Sequence, residues 1–507
     1  MADRARSQFV VWWLAAATVA AHIAFNGRYG IFRDELYYLA CADRLAWGYV
    51  DHPPLSIAAL AAWRALAGEA VGSLQVVPAL LHGLVVLGAA ALTRRMGGRA
   101  FAPTLAALCA AVAPQWLALT GFWSMNAFDL AIWTAAFLVV ASLLAGGDGR
   151  LWVVLGAVLG LGLMNKLSVL FLAAGLAVGL VLSPLRRDLR SRQVLLGAGV
   201  AGVIFLPHIA WQVANDWPTA EFIANAQAYK IAAFSPRAMI ADQALGMLPP
   251  AIAVWGVGLG ALLFWGRLRT FRPLGIAFVV VLGILLVERS KPYYLAPAYP
   301  PLLAGGAVAW ESLSERGGWR WLRPALAAVI GGAGLALAPL AIPVLPVETF
   351  VSYQRSLGIA PAASERHDIG ALPQHFADRF GWPEMAEQVA RVWRSLPAEE
   401  RQRCLVLGRN YGQAGALRYY GRELGLPFAR SQHNSFFEWG PGAGPYEAVL
   451  AIGYRRDDLL EAFEEVVEVG RFSHPWVMPY ENDQPIFVCR RPRRPFEELW
   501  RDGKLFI

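Results

Sequence analysis

The sequence predicts a polytopic α-helical membrane protein that ends in a small α/β domain. Of its 507 residues, 57% are apolar and only 16% are charged, whereas soluble domains carry about 25% charged residues. Apolar stretches close to the roughly 20 residues that a bilayer-crossing helix needs recur as far as residue 344. From residue 345 the chain becomes charged, aromatic and rich in Pro and Gly.

The apolar stretches predict about eleven membrane spans, which make residues 1–344 a transmembrane domain with a first outer loop at 26–72. The stretch 151–183 is too long for one span, and the polar pair Asn165-Lys166 divides it into two. The spans are predicted at 8–25, 73–93, 101–120, 126–145, 151–165, 167–183, 194–213, 244–265, 273–287, 293–311 and 322–344.

Arginines determine the predicted orientation, because loops rich in Lys and Arg remain in the cytoplasm. They occur in alternate loops with few acids, so the net charge of +8 does not call for a nucleic-acid partner. This orientation places loop 26–72 and residues 345–507 outside the cytoplasm. The cytoplasmic set is Arg4, Arg6, Arg94, Arg95, Arg99, Arg150, Arg186, Arg187, Arg190, Arg192, Arg267, Arg269, Arg272, Arg316, Arg320 and Arg323.

Residues 345–507 are long enough for one small α/β domain, in which short apolar runs alternate with helical patterns. Cys404 and Cys489 lie in two of these runs and could form a disulfide or remain two buried thiols. The predicted elements are strands at 404–407, 448–452 and 485–489, with helices near 413–424 and 456–467.

Two groups of closely spaced glycines lie within the predicted spans. No strand precedes them and no Gly-Lys-Ser/Thr follows, so a nucleotide-binding loop is disfavoured. Close packing of helices through small residues is the preferred interpretation. The groups are Gly156, Gly160 and Gly162, and Gly256, Gly258 and Gly260.

The first outer loop contains the acidic pair Asp34-Glu35. Asp34 and Tyr38 are four residues apart, so in a short helix they share one face. A partly desolvated carboxylate beside a membrane makes a good general base. The alternative is a hydrated helix whose charges face water.

The same loop continues with Asp51-His52-Pro53-Pro54-Leu55. The two prolines predict an extended turn before the next helix, which would hold Asp51 and His52 rigidly at the membrane surface. These two side chains could bind a divalent cation. A helix cap with a surface imidazole is the equal alternative.

Asp129 follows Asn126 by three residues inside an apolar span. A carboxylate inside a span costs about 2.5–3.5 kcal/mol on insertion scales, so it usually has a partner or a function. Asp129 has either a functional role or a structural hydrogen bond, and the sequence leaves both alternatives open. Asn126 lies one turn earlier on the same face.

Cations gather at two predicted outer turns. Lys166 lies between two apolar stretches, and Arg289 and Lys291 precede Tyr293-Tyr294. Arginine and lysine at this depth suit the phosphate of a lipid-linked molecule. Snorkelling of Lys166 and a plain interfacial turn are the alternatives.

Polar residues follow the predicted strands of the C-terminal domain, where binding sites are common. Arg409, Asn410 and Tyr411 follow the first strand, and His433 and Asn434 precede an aromatic stretch. Hydrogen bonds that stabilise loops are the equal alternative.

These motifs together resemble the family-39-type membrane glycosyltransferases, a group with the protein O-mannosyltransferases and the aminoarabinose-to-lipid A transferases. The resemblance covers about residues 1–340, and the C-terminal domain is similar to that of bacterial members. It is carried by Asp34-Glu35, Asp51-His52-Pro53-Pro54-Leu55, Asp129, Ser290-Lys291-Pro292-Tyr293-Tyr294, Asn410-Tyr411-Gly412 and His433-Asn434-Ser435.

The resemblance implies a C-type glycosyltransferase fold and transfer of a hexose or pentose from a polyprenyl-phosphate donor, usually with inversion, outside the cytoplasm. Asp34 matches the essential first-loop acid, and Asp129 the second acid. Lys291 matches the turn near the donor phosphate. His52 departs from the family pattern, because lipid A-modifying relatives have a lysine there.

The site residues divide into three predicted roles. Catalysis is assigned to Asp34, Glu35 and Asp129, and donor phosphate binding to His52, Lys166, Arg289, Lys291, Tyr293 and Tyr294. Substrate binding is assigned to Tyr38, Asp51, Asn126, Arg409, Asn410, Tyr411, His433 and Asn434.

The predicted protein is a multi-pass enzyme of the inner (cytoplasmic) membrane with a periplasmic active site and C-terminal domain. Its acceptor is a glycan, a lipid or a protein, and the one cofactor considered is a divalent metal. A transporter or flippase for a lipid-linked sugar is the alternative. A transporter would carry charges through the depth of the bundle, whereas here they gather on the outer side.

Overall fold

The computed structural model describes residues 2–230, 234–315, 317–361, 366 and 368–507. These residues form two compact units. The first unit lies within Met1–Arg28, Glu69–Ile209 and Phe234–Phe350, and the second within Tyr29–Gly68, Ala210–Ala233 and Val351–Ile507. Most of the predicted first outer loop is therefore part of the same unit as the C-terminal region. The domain boundary at residue 345 stays a prediction.

Within the described residues, helices predominate and strands occur only near the C-terminal end. The helices as far as residue 264 are α1 (Ala2–Phe25), α2 (Arg33–Ala42), α3 (Leu55–Ala67), α4 (Val71–Leu74), α5 (Val76–Arg95), α6 (Phe101–Val112), α7 (Pro114–Leu119), α8 (Met125–Leu144), α9 (Leu151–Leu163), α10 (Val169–Val181), α11 (Arg192–Ala214), α12 (Pro218–Asn225), α13 (Pro236–Gly246) and α14 (Ile252–Phe264). The remaining elements are α15 (Arg272–Val287), α16 (Pro300–Leu313), α17 (Leu322–Leu337), α18 (Val347–Ser356), α19 (Gln374–Ala377), α20 (Trp382–Ser395), α21 (Ala398–Gln402), β1 (Cys404–Gly408), α22 (Tyr411–Tyr419), α23 (Ser435–Glu438), β2 (Ala448–Ile452), α24 (Arg456–Ala462), β3 (Phe463–Phe472), β4 (Gln484–Pro492) and α25 (Phe496–Asp502).

Several helices of the described chain are long and apolar enough to cross a bilayer. Six qualify singly, and up to eight spans result if each of two bent helix pairs is one span. The predicted break at Asn165-Lys166 is confirmed, because α9 ends at Leu163 and α10 begins at Val169. The total of about eleven spans stays a prediction. The six are Asp3–Tyr29, Val71–Arg95, Met125–Leu144, Arg192–Ala214, Gly266–Val287 and Gly318–Leu340.

Glycines bring helices of the first unit to backbone distance. A Cβ on Gly258 would lie 1.8 Å from the Leu302 carbonyl oxygen, and one on Gly156 would lie 2.0 Å from that of Gly197. The predicted close packing is thus confirmed at these two positions. It does not extend to Gly260, whose missing Cβ would meet no atom within 4 Å.

Two polar clusters stabilise the apolar first unit. The Glu311 carboxylate on α16 accepts hydrogen bonds from four backbone N–H groups at the start of α6, residues 99–102, at 2.7–3.0 Å. These groups would otherwise lack partners at a helix N-terminus. Buried His22 of α1 and His82 of α5 are joined by a 2.8 Å hydrogen bond, and Thr120 lies 3.0 Å from His82.

The second unit contains a four-stranded sheet in the order β1-β2-β4-β3. β1 and β2 are parallel, and β4 is antiparallel to both of its neighbours. The predicted helix at 456–467 is wrong beyond Ala462, because β3 begins at Phe463. Its acidic residues suggested a helix, but an edge strand accommodates charged side chains on its exposed face.

Cys404 and Cys489 are free, buried thiols. Cys404 on β1 is aligned with Ala448 of β2, and Cys489 on β4 is aligned with the next residue, Val449. Successive residues of a strand point to opposite faces, so the two thiols lie on opposite sides of the sheet. Of the two predicted alternatives, the structure has two thiols and no disulfide.

We expect Gly258→Ala to destabilise the first unit by about 1–3 kcal/mol, because the new methyl group would collide with the α16 backbone and push α14 away. Thermal unfolding in detergent measures the change. Gly260→Ala, two residues away on the same helix, is the matched control and should be tolerated. Equal unfolding temperatures for the two variants would contradict the packing interpretation.

Candidate functional site

Helix α2 of the second unit carries Asp34. Within α2, Asp34 and Ala42 are half-buried, and the other side chains are buried. The Tyr411 hydroxyl donates a hydrogen bond of 3.0 Å to Asp34 Oδ1. Tyr411 is the first residue of α22, which Asn410 caps by accepting a hydrogen bond from the Gln413 N–H. The capped helix start therefore orients the phenol that holds Asp34.

Glycines of α22 allow α2 to approach closely. A Cβ on Gly412 would lie 2.7 Å from Arg33 Cγ, and one on Gly415 would lie 2.8 Å from the Leu36 carbonyl group. Any larger residue at Gly415 would meet the α2 backbone, which cannot move aside as a side chain can. This packing fixes Asp34 relative to Tyr411.

A buried arginine connects α2 to the C-terminal region. The Arg33 guanidinium lies over the rings of Tyr411 and Tyr480, 4.5 and 5.3 Å from their centroids. Arg33 Nη1 donates to the Tyr480 hydroxyl (2.7 Å), which donates to Asp378 Oδ1 (3.1 Å). Arg33 is thus held by aromatic rings and a hydrogen-bonded carboxyl group.

Burial raises the pKa of Asp378 to about 7, with Asp34 and Glu481 adding to the increase and Arg33 opposing it. Glu481 is also buried and accepts hydrogen bonds of 2.8 Å from Asn410 and Gln413. Burial raises the pKa of Glu481 as well, while Arg33 lowers it. Asp34 therefore belongs to a cluster of acids arranged around one arginine.

Glu35 has a different environment from Asp34, although both were assigned to catalysis. Glu35 is fully buried, and its Oε2 accepts a hydrogen bond of 2.9 Å from the Phe32 N–H. This contact satisfies the N–H of the residue that precedes the first turn of α2. The geometry favours a structural role for Glu35.

The sequence predicted that His52 lies at the membrane surface, but its side chain is fully buried. Its ring lies against Tyr38 and Tyr49, with centroids 4.7 and 5.0 Å apart, and its Nδ1 is 3.0 Å from the Pro53 carbonyl oxygen. His52 Nε2 is 3.9 Å from Asp51 Oδ1. Among the described residues, no group of three or more His, Cys, Asp or Glu could hold a metal ion, so this pair has no third ligand of those types.

The other predicted substrate contacts of this unit make internal hydrogen bonds. Asp51 Oδ1 accepts from the Tyr37 hydroxyl (2.8 Å), and Arg409 Nη1 donates to the Gly453 carbonyl (3.2 Å). His433 Nε2 lies 2.8 Å from the main-chain oxygen of Ile507, and Asn434 accepts from the N–H of Ile507. These contacts match the loop-stabilising alternative.

In the first unit, Asp129 is buried within α8 and has several partners. Its Oδ1 accepts from Trp133 Nε1 (3.0 Å), and its Oδ2 accepts from the Ser168 hydroxyl (2.9 Å). Lys166 Nζ lies 3.9 Å from the same Oδ2. A charged pair with additional hydrogen bonds is how a carboxylate is tolerated in apolar surroundings.

Lys166 is held in the break between α9 and α10. It is 7% exposed, donates a 2.7 Å hydrogen bond to Asn126 Oδ1, and lies 4.2 Å from the centroid of the Tyr294 ring. The Tyr293 ring is 5.8 Å away. The structure therefore gathers four predicted residues around the ammonium group of a fifth, Lys166: Asn126, Asp129, Tyr293 and Tyr294.

The other two cations predicted to bind the donor phosphate, Arg289 and Lys291, lie on the turn after α15. Arg289 is exposed and has a positive φ of 52°, and Lys291 is half-buried. Gln243 supports this turn by donating to the Pro292 carbonyl at 3.0 Å and accepting from the Tyr299 hydroxyl at 3.2 Å. Gln243 was not predicted, and no local motif points to it.

Sequence reasoning also missed side chains that hold the predicted ones. Trp133 lies one helical turn after Asp129, so it could have been found from spacing. Ser168 is two residues after Lys166, and that spacing does not indicate a shared face. Asp378 and Glu481 carry no such signal, because they lie hundreds of residues from Arg33. Chemically, the two clusters offer a half-buried carboxylate suited to general base catalysis and a fixed cation suited to an anion.

Residues 51–211 match the family model described as dolichyl-phosphate-mannose-protein mannosyltransferase. Lipid A galacturonosyltransferase RgtD of Rhizobium johnstonii is 28% identical over 189 residues, which are 36% of this chain and 39% of that protein. The chain thus spans less than half the length of this curated relative.

The fold matches that of ArnT from Cupriavidus metallidurans at 16% sequence identity. The TM-score is 0.61 with the structure bound to undecaprenyl phosphate, over 95% of this chain and 97% of that one. It is 0.62 with the apo structure, over 96% and 98%. These matches confirm the predicted C-type glycosyltransferase fold of a multi-pass membrane protein.

We expect the stability of the protein to fall as the pH rises from about 4 to about 7. Over this interval folded Asp378 keeps the proton that an unfolded chain releases near the ordinary pKa of 3.8. Because the folded state then binds more protons, the free energy of unfolding decreases with pH. Asp378→Asn should flatten the dependence of the unfolding temperature on pH, and Asp457→Asn, at an exposed position, should not. A wild-type slope in the Asp378 variant would contradict this assignment.

Proposed function

We propose that this protein, which has the C-type glycosyltransferase fold, transfers a sugar from a polyprenyl-phosphate donor to an acceptor outside the cytoplasm. It acts in the inner membrane, with the second unit on the periplasmic side. The observation that carries the proposal is the fixed ammonium of Lys166. Lys166 and its partners Asn126 and Asp129 all lie within residues 51–211, the part that matches the family model.

The donor's phosphate is bound by the cluster around Lys166. The leaving polyprenyl phosphate gains negative charge as its bond to the sugar breaks, and a preorganised cation stabilises that charge. Asp129 and Asn126 hold the ammonium, and Tyr293 and Tyr294 flank it. Arg289 and Lys291 add positive charge from the next turn. The undecaprenyl phosphate bound by the ArnT structure of the same fold supports a lipid phosphate as the ligand.

Asp34 acts as the general base. It takes the proton from an acceptor hydroxyl or amine while the acceptor atom forms a bond to the anomeric carbon. The bond from that carbon to the phosphate oxygen breaks, and the oxygen leaves with the electron pair. This single displacement inverts the anomeric configuration and needs no covalent intermediate. The hydrogen bond from Tyr411 orients the carboxylate for its role as base.

The acceptor is a glycan, a lipid or a protein that carries a hydroxyl or amino group. The sugar is a hexose or pentose. The relative RgtD is a lipid A galacturonosyltransferase, which supports a lipid among these acceptors. Release of free polyprenyl phosphate in step with transfer separates this enzyme from a flippase, which would release none.

We expect Asp34→Asn to lower kcat by about 10²–10⁴-fold, because the amide cannot accept the proton. Donor binding should persist, since Asp34 does not contact the phosphate in this proposal. Release of polyprenyl phosphate from a purified donor measures the rate, and unfolding temperature verifies the fold. Tyr411→Phe, which removes only the orienting hydroxyl, should reduce kcat by about tenfold. A folded Asp34→Asn protein that transfers sugar at the normal rate would exclude Asp34 as base.

We expect Lys166→Gln to raise KM for the donor by about tenfold or more, because a charge-assisted contact to phosphate is lost. The single variant also leaves Asp129 buried beside a neutral group and could lose stability. The double variant Lys166→Gln/Asp129→Asn is the matched control, since it removes both charges. It should regain the unfolding temperature but not the donor affinity. Normal KM in the double variant would contradict the phosphate role.

A further inference from the structure

Two arginines of the second unit share one aromatic ring. The Cζ atom of Arg44 lies 5.2 Å from the centroid of the Phe428 ring and 5.5 Å from that of Trp439. The Cζ atom of Arg430 lies 4.8 Å from the Phe428 centroid. Two like charges are thus brought together on an aromatic surface, outside the clusters already described.

Neither arginine is neutralised within the part of the chain that the structure describes. No carboxylate there forms an ion pair with Arg44 or Arg430, whereas Arg418 pairs with Asp43 and Arg490 with Glu400. The Nη1 atom of Arg430 is buried and has no hydrogen-bond partner among those residues. Burial lowers the pKa of Arg430, and the neighbouring Arg44 lowers it further. A buried, unsatisfied donor on a cation is expensive unless an anion binds it.

The main chain holds both arginines in place. The Arg430 N–H donates to the Val406 carbonyl and its own carbonyl accepts from the Gly408 N–H, both at 2.9 Å, beside β1. The Arg44 N–H donates to the Cys41 carbonyl at 2.9 Å. Because the backbone is fixed at both positions, little ordering is needed to bind a ligand.

A glycine leaves the approach to Arg430 open. Gly442 has a φ of +95°, and a Cβ at this position would lie 2.8 Å from Arg430 Nη2 and 2.9 Å from the Tyr446 hydroxyl oxygen. Any side chain here would occupy the space in front of the guanidinium. Arg44 and Arg430 thus lie on one aromatic ring, and glycine at position 442 leaves space in front of the Arg430 guanidinium.

The surface next to Arg44 is apolar and exposed. Leu45 is 62% exposed and Trp47 is 60% exposed, and they follow Arg44 by one and three residues. Trp beside a cation is typical of protein surfaces at the headgroup level of a membrane. This apolar surface favours a ligand that joins an anionic group to an apolar part.

We propose that Arg44 and Arg430, together with Phe428, Trp439 and Gly442, form a binding site for a phosphate group. Arginine offers paired N–H donors that match phosphate oxygens, and two arginines can share one phosphate. The phosphate comes either from the headgroup of an anionic lipid or from a free phosphate. This phosphate site does not depend on the proposed function.

Binding is tested with the purified full-length protein in a neutral detergent. The probes are dihexanoyl phosphatidic acid, dihexanoyl phosphatidylcholine and inorganic phosphate, and calorimetric titration gives Kd. We expect wild-type protein to bind phosphatidic acid, and Arg44→Gln and Arg430→Gln to weaken binding by about tenfold each. Gly442→Ala should weaken it as well. Arg456→Gln, which removes an exposed arginine of the same unit, is the control and should bind normally.

The outcomes separate the two sources of phosphate. If wild-type protein binds phosphatidic acid but not inorganic phosphate, the phosphate belongs to a lipid headgroup. If it binds the two probes with equal Kd, the ligand is a free phosphate. Failure of wild-type protein to bind either probe, or unchanged binding by the double variant Arg44→Gln/Arg430→Gln, would overturn the proposal. Binding that depends on both arginines in a protein without transferase activity would refute the proposed function and leave the phosphate site standing.

Discussion

The arrangement of the second unit depends on the contact between α2 and α22, where Gly412 and Gly415 let two helices meet at backbone distance. This contact brings Asp34 to the Tyr411 hydroxyl and puts Arg33 over the Tyr411 ring. Arg33 in turn makes the burial of Asp378 and Glu481 tolerable, because a buried acid needs a compensating charge or hydrogen bonds. The position of Asp34 therefore depends on Gly412 and Gly415, because only glycine at these positions lets α2 and α22 pack so closely.

In the first unit the governing constraint is electrostatic. Lys166 lies where one apolar helix has ended and the next has not begun, and a bare ammonium there would be unstable. Asp129 supplies the opposite charge, while Asn126, Ser168 and Trp133 complete the hydrogen bonds. Such a pair contributes little net stability, but it fixes a cation with one face toward the tyrosines. Fixed charge in apolar surroundings is what stabilisation of a leaving phosphate requires.

The proposed chemistry assigns different physical tasks to different parts of the chain. A half-buried carboxylate accepts a proton, a fixed ammonium stabilises departing phosphate, and the arginine pair recognises an anion. Asp34 is partly exposed and has an orienting hydrogen-bond donor. The neighbouring acids Glu35, Asp378 and Glu481 are buried and accept hydrogen bonds from within the protein. This difference in exposure, rather than residue type, distinguishes the proposed base from its acidic neighbours.

By itself the sequence determined the features that follow from composition and short spacing. The apolar helices, the break at Asn165-Lys166, close packing at Gly156 and Gly258, and the pairing expected of an acid in a span all follow from local rules. Tertiary structure alone decided that His52 is buried among tyrosines, that Glu35 caps α2, that β3 is an edge strand and that the cysteines face opposite sides of the sheet. It alone joined Arg33 to Asp378 and Arg44 to Arg430. The reason is that burial and charge pairing between distant segments depend on which helices and strands pack together, and no local pattern encodes that choice.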